Sequence, residues 1–192
     1  GWALGLVISA ALGVSLGVLF GLSSIAYRMT RGLIEFIRPM PAVALIPLAL
    51  LVFGQDIQMK VAITVFAAIW PILFNTIAGV HGTVPLMKEM ARVFGYSRGG
   101  VIRHVVLPSA APFIMTGIRV SSSIALIVVI TVELLAGAST GIGAYISNVR
   151  AIGLEPALAY AGVLVAGVLG LLINTVIGVV ERRAFAWQNQ QR

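Results

Sequence analysis

The chain of 192 residues is 59% apolar and only 10% charged, with a mean hydropathy of +1.05, which leaves too few polar residues to cover a soluble domain of that size. Its net charge of +7 is not gathered into a basic patch interleaved with stacking aromatics, so nucleic acid is excluded as the partner. With no cysteine, neither a disulfide framework nor a thiolate metal site can form.

The long runs are apolar on every side rather than alternating, so the chain is an all-α integral membrane protein and not a barrel. Five spans are predicted within a single domain covering residues 1–192: about 2–27, 39–54, 60–81, 112–137 and 156–180. Gly1 stands where Met would, and the first span starts at once, so the natural chain is expected to extend upstream. In that span Ser9, Gly13, Gly17 and Gly21 recur every four residues, a ladder that lets two helix backbones approach closely and that we assign to internal packing. The second span carries Pro39, Pro41 and Pro47; each removes a backbone donor and disfavours helix before it. Broken backbone at membrane depth must be covered by protein or by a water-filled cavity, which places this segment inside the bundle.

The third span has Trp70 and Pro71 near its middle and Asn75 and Thr76 a turn later. Pro71 frees a carbonyl and can kink the helix, and Asn75 needs a partner or water. A connection of residues 82–108 follows. Pro85 suits a first helical turn and Gly95 a left-handed helix end, so a helix of about ten residues is predicted between them. On it Leu86, Met90 and Val93 share one stripe, with Lys88, Glu89 and Arg92 largely elsewhere, which offers an apolar ridge to a groove on a partner. Ser97 is expected to cap a second helix and Pro108 to end it. The fourth span opens with Ser121, Ser122 and Ser123 and carries Glu133 toward its far end. A carboxylate there faces a cavity or another subunit, or binds backbone donors of the Gly-rich stretch from Gly137 to Gly143. The last span repeats the small-residue ladder with Gly162, Ala166, Gly170 and Gly178.

Lys and Arg fix the orientation. Arg28, Arg31 and Arg38 precede the second span, Lys88, Arg92, Arg98 and Arg103 fill the 82–108 connection, and Arg182, Arg183 and Arg192 form the tail, against Lys60 and Arg150 on the other side. The first connection, residues 82–108 and the carboxyl terminus are therefore cytoplasmic and residues 138–155 outside. Arg119, one to two turns into the fourth span, is expected to snorkel to the cytoplasmic interface. No unpaired Lys or Arg is expected at mid-membrane. His81 and His104 stand alone, without metal-ligand spacing. The carboxylates Glu35, Asp56, Glu89, Glu133, Glu155 and Glu181 are scattered rather than paired for acid and base work, and no phosphate-binding G-x-x-x-x-G-K-[ST] loop occurs. The chain is therefore not expected to bind and hydrolyse ATP by that mechanism.

Glu89-Met90-Ala91, three further residues, Gly95, nine residues and then Val105-Val106-Leu107-Pro108 resemble the EAA loop of ABC importer permeases, with Met90 for Ala and Val105 for Ile. Arg38-Pro39-Met40-Pro41, Pro47 to Gly54, Pro71 to Thr76, Thr116 to Arg119, the Glu133 segment, Gly141-Ile142-Gly143 and Glu181-Arg182-Arg183 look like the nitrate, sulfonate and taurine branch of that family. The resemblance covers nearly the whole chain. It implies a type I ABC importer permease fold in the bacterial inner membrane, working by alternating access. By that resemblance Glu89, Met90, Ala91, Gly95, Leu107 and Pro108 dock on an ATPase, and Trp70, Asn75, Thr76, Ser121, Ser122 and Glu133 are candidates to line the path. The implied partners are an ATPase dimer holding ATP and Mg, a second permease copy, an extracytoplasmic substrate-binding protein and lipid. The implied cargo is a nitrate, sulfonate or taurine-like anion, with bicarbonate, a pyrimidine precursor or an aromatic compound as variants. The residues alone also leave open a stand-alone channel or secondary carrier. Tyr96 and Gly99-Gly100 depart from the family pattern, and the two glycines weaken the second loop helix by about 1 kcal/mol each relative to Ala.

Overall fold

The computed structural model describes residues 1–137, 140–153 and 156–185, and among them it is helical with no strand. Glu155 and Arg192, used in the charge reading above, lie outside the described residues. The helices are α1 (Trp2–Leu22), α2 (Ser24–Ile37), α3 (Ile46–Phe53) after a 3₁₀ turn Ala42–Leu45, α4 (Ile57–His81), α5 (Pro85–Val93), α6 (Arg98–Val101), α7 (Leu107–Leu135), α8 (Ile142–Ala151) and α9 (Pro156–Ala184). Four helices are long and apolar enough to cross a membrane, and a fifth span exists only if α2 and the Ala42–Phe53 segment are counted as one broken crossing bent by 81°.

The core is three helices deep. α1 lies parallel to α4, with Gly5 against Thr64, Gly13 against Ile72, Gly17 against Thr76 and Gly21 against Val80. Both partners advance in steps of four, so the small-residue ladder of α1 is an internal seam. A Cβ added at Gly17 would lie 2.5 Å from that of Thr76, nearer than packed carbons can stand. α7 closes the other side of α4. Gly117 lies under the backbone of Ile72, and the Ser121 hydroxyl donates to the Ala68 carbonyl at 2.6 Å. In α9, Gly162 meets Ile146 of α8, Gly170 meets Leu126 and Gly178 lies beside Arg119. That ladder too is used within the chain.

Three boundaries differ from the sequence reading. The first span stops at Leu22, because Ser23 is extended and its hydroxyl accepts the Ala26 N–H at 3.2 Å, starting a separate amphipathic helix. The 39–54 segment contains only twelve helical residues, about 20 Å of rise, too short to cross alone. Pro108 does not end the second loop helix. It sits in the first turn of α7, and the helix runs without a break from Arg98 to Leu135 through a π-helical segment Ile102–Val106. A π turn re-registers the backbone bonds, so the proline's missing N–H is absorbed rather than breaking the helix. Helix α8 was not expected: its ten residues lie within the connection between the fourth and fifth spans.

Candidate functional site

At the ends of α4 and α7 that the distribution of Lys and Arg assigns to the cytoplasm, helix α5 is fastened on one side and bare on the other. Its C-terminus closes as a Schellman turn: Gly95 has φ +81°, the Tyr96 N–H donates to the Ala91 carbonyl and the Gly95 N–H to that of Arg92, both at 3.0 Å. A Cβ on Gly95 would meet nothing within 4 Å, so only the backbone angle requires glycine there. Pro85 opens the helix, and Val84 stands at the cap without side-chain help. Thr83 is buried, and its hydroxyl bonds back to the Gly79 carbonyl. Ser97 caps α6 by accepting the Gly100 N–H at 3.2 Å. Ala91 is buried in a cluster with Val80, Val101, Val106 and Ala110, and the Lys88 ammonium reaches the Val80 carbonyl at the end of α4 at 3.4 Å, where cations are favoured.

Beside the exposed charges Glu89 and Arg92, an apolar stripe faces outward: Leu86 is 61% exposed, Met90 50%, Val93 85% and Phe94 76%. Glu89 and Pro108 are exposed and Leu107 is half-buried. The ridge expected from the sequence is therefore presented, with Met87 and Phe94 added to it.

The six path candidates do not meet on one surface. Thr76, Ser121 and Ser122 are fully buried between helices, and Thr76 returns its hydroxyl to the Ile72 carbonyl. Asn75 is half-buried and donates to the Pro71 carbonyl at 2.8 Å. Trp70 packs edge-on to Phe66. Its indole N–H, like the Ser122 hydroxyl, is buried without a partner among the described residues. Glu133 is buried at the outer end of α7, where one oxygen accepts from Lys60 at 3.0 Å and the other from the Gly143 N–H at 3.1 Å. Lys60 also donates to the Thr140 carbonyl. Glu133 thus binds the Gly-rich outer stretch, and its pairing with Lys60 was missed. The sign was legible: a Lys at the outer start of one span and a Glu at the outer end of the next lie at one depth.

Two arginines make contacts that the sequence did not show. Arg119 donates to Asn174 at 2.9 Å and to Glu181 at 3.3 Å, tying α7 to α9 beside a cavity of about 530 Å³ lined by Pro112, Phe113, Thr116 and Phe185 among others. Arg38 ends α2, and its guanidinium lies over the ring of Phe74, 4.6 Å from the centroid, a contact worth about 0.5–1 kcal/mol at an exposed site. Phe74 stands seven residues before the end of α4, about 10 Å along the helix.

A family model described as "Binding-protein-dependent transport system inner membrane component" matches residues 10–186. The chain is 32% identical over 97% of its length to the putative aliphatic sulfonates transport permease protein SsuC of Bacillus subtilis (strain 168). It is 29% identical over 94% to the nitrate import permease protein NrtB of Leptolyngbya laminosa, and 31% over 94% to the bicarbonate transport system permease protein CmpB of Synechococcus elongatus. The chain spans 67% of the first relative's length and 64% of the other two. Its fold matches a crystal structure of an amino acid ABC transporter with histidines at a TM-score of 0.72 and 21% identity, covering 95% of this chain and 89% of that one.

Proposed function

Because this chain belongs to the family of binding-protein-dependent transport inner membrane components, and so is a multi-pass permease subunit of an ABC importer, we propose that it carries a small oxyanion into the cytoplasm. Sulfonates, nitrate and bicarbonate are the cargoes named for its relatives, and all three are compact anions with several acceptor oxygens. An extracytoplasmic binding protein delivers the anion. Two copies of the permease enclose the path, and a separate ATPase dimer holding ATP and Mg drives it between outward-open and inward-open arrangements. This chain supplies the path and the handle, not the hydrolysis.

The observation that carries the reading is the ridge of α5. A nine-residue helix on the basic, cytoplasmic side, anchored through Ala91 and Lys88 and bare at Leu86, Met90 and Val93, suits insertion into an apolar groove. Glu89, Met90, Ala91 and Gly95 shape that helix, and Leu107 and Pro108 join it to α7, so a push on α5 is passed straight into a membrane-spanning helix. The rise from Arg98 to Leu135 is unbroken, which makes the linkage stiff.

Co-expression with an ATPase and a binding protein encoded beside it, followed by purification in mild detergent, tests the assignment. A stoichiometric ATPase should remain bound, and its hydrolysis should rise when loaded binding protein is added. A chain that purifies alone and conducts anions without ATP is a channel or carrier instead.

A further inference from the structure

From Pro156 to Val180 helix α9 carries no charged side chain. That run rises about 37 Å, more than the roughly 30 Å of a hydrocarbon core, and Glu181, Arg182 and Arg183 follow it at once. These charges therefore stand at a membrane surface, the one that the distribution of Lys and Arg assigns to the cytoplasm. Arg119 of α7 is held at the same level by its bond to Glu181. Along the span below, α9 is bare on its outer side, with Leu164 70% and Leu171 67% exposed.

Between α7 and α9 lie three cavities of about 530, 450 and 560 Å³. The first two share Thr116, Arg119 and Glu181, and the last two share Ser123, Ile127 and Asn174. They form one groove, and its chemistry changes with depth. Arg119 and Arg182 stand at the surface end, Ser123 and Asn174 at the waist, and Leu126, Ile130, Val163 and Leu171 wall the foot. Two glycines keep the foot open: a Cβ at Gly167 would meet nothing within 4 Å, and one at Gly170 only Leu126 at 3.2 Å.

The surface end has cationic capacity to spare. Arg119 commits Nε to Asn174 and one terminal nitrogen to Glu181, which leaves the donors of its other terminal nitrogen. Arg182 is exposed, and among the described residues it forms neither an ion pair nor a side-chain hydrogen bond. Two guanidinium groups thus face one carboxylate, and the mouth is net positive.

We infer that this groove holds one anionic phospholipid of the cytoplasmic leaflet. Its phosphate sits on Arg182 and the remaining nitrogen of Arg119, its ester carbonyls lie at Ser123 and Asn174, and an acyl chain runs past Gly167 against Leu126 and Ile130. A basic pocket between membrane helices on the cytoplasmic side suits an anionic headgroup. The apolar foot directly beneath it suits the chain of the same molecule, which a free anion would leave unused. The inference concerns lipid rather than cargo, so it holds or fails separately from the choice of solute.

To test it, the chain is purified in mild detergent with the subunits it retains, stripped of lipid, and titrated with phosphatidylglycerol or with phosphatidylcholine of the same acyl chains. The first lipid bound is followed by native mass spectrometry. Phosphatidylglycerol should bind more tightly by about fivefold or more, and Arg182→Gln should remove most of that preference, since one arginine near an anionic surface is worth about that factor. Gly167→Leu should weaken both lipids alike by filling the foot, and inorganic phosphate in large excess should not displace bound phosphatidylglycerol. Equal binding of the two lipids, or a preference that survives Arg182→Gln, overturns the inference. So does undiminished lipid binding by Gly167→Leu. Displacement by phosphate would make the mouth a free-anion site, and absence of any retained lipid would mean that a second copy of the chain fills the groove; either overturns the lipid assignment. Should Gly167→Leu not give folded protein, Arg182→Gln, whose side chain is exposed and unpaired, decides the matter with the two lipids.

Discussion

The outer and cytoplasmic ends of this protein are finished in opposite ways. Outside, Lys60, Glu133, the Thr140 carbonyl and the Gly143 N–H satisfy one another in a buried cluster that ties α4, α7 and the start of α8 together. Inside, α5 is equally well anchored, yet it turns Leu86, Met90, Val93 and Phe94 to the cytoplasmic side. A region whose polar groups are all answered by its own chain is architecture. One that leaves an apolar ridge bare where water would meet it is incomplete without another protein.

If the outer cluster is architecture, breaking it should give the largest loss of stability of any single change. Glu133→Ala strands a buried ammonium, and removing one partner of a buried pair costs about 3–5 kcal/mol. The solubilised variant should unfold at a visibly lower temperature by fluorescence-detected size exclusion. Lys60→Met combined with Glu133→Leu should recover much of the loss, since a packed apolar pair avoids the charge penalty. No recovery would mean that the Gly143 hydrogen bond, not the ion pair, secures the outer segment.

The seam beneath both ends comes next. Gly17→Leu forces a side chain into the space of Thr76, and overpacking of this kind costs about 1–3 kcal/mol. Gly32→Leu, where a Cβ meets nothing within 4 Å, should be near neutral in the same thermal assay apart from any backbone effect.

Gly95 sharpens the contrast because its side-chain space is empty. Left-handed backbone costs an L residue about 1–2 kcal/mol, and less for Asn. Gly95→Val should leave folding nearly intact while substrate-stimulated ATP hydrolysis and uptake fall together, and Gly95→Asn should retain most of both. Uptake unchanged by Gly95→Val would detach α5 from coupling. The smallest effect belongs to Arg119→Gln: its bond to Glu181 is 43% and 24% exposed on the two sides, so under about 1 kcal/mol of stability should be lost.

Much of this was legible in the sequence, for identifiable reasons. Spans with an apolar circumference, such as α4 and α9, announce themselves by length, and α5 was readable from Pro85 and Gly95 because one fixes a helix start and the other an end. The ladder Ser9, Gly13, Gly17, Gly21 was assigned to internal packing, and it is the α1–α4 seam. What escaped depends on depth and on distant partners. The contact of Arg38 with Phe74 joins residues 36 apart, which no local pattern shows. Pro108 read as a helix stop because sequence shows the missing N–H but not the π segment that absorbs it. Ser121 and Thr76, both candidates for the path, each spend the hydroxyl on a carbonyl inside the three-helix core.

The central claim is that the cytoplasmic end is completed by an ATPase through the ridge of α5. Replacing Met90 with the photoreactive p-benzoylphenylalanine in the co-expressed complex, with Leu164 of α9 as a membrane-facing control, tests it in one gel. The account predicts a single cross-linked product from position 90 that contains this chain and the ATPase, and no such product from position 164. A position-90 probe that captures only lipid, while the ATPase is present and bound, would contradict it.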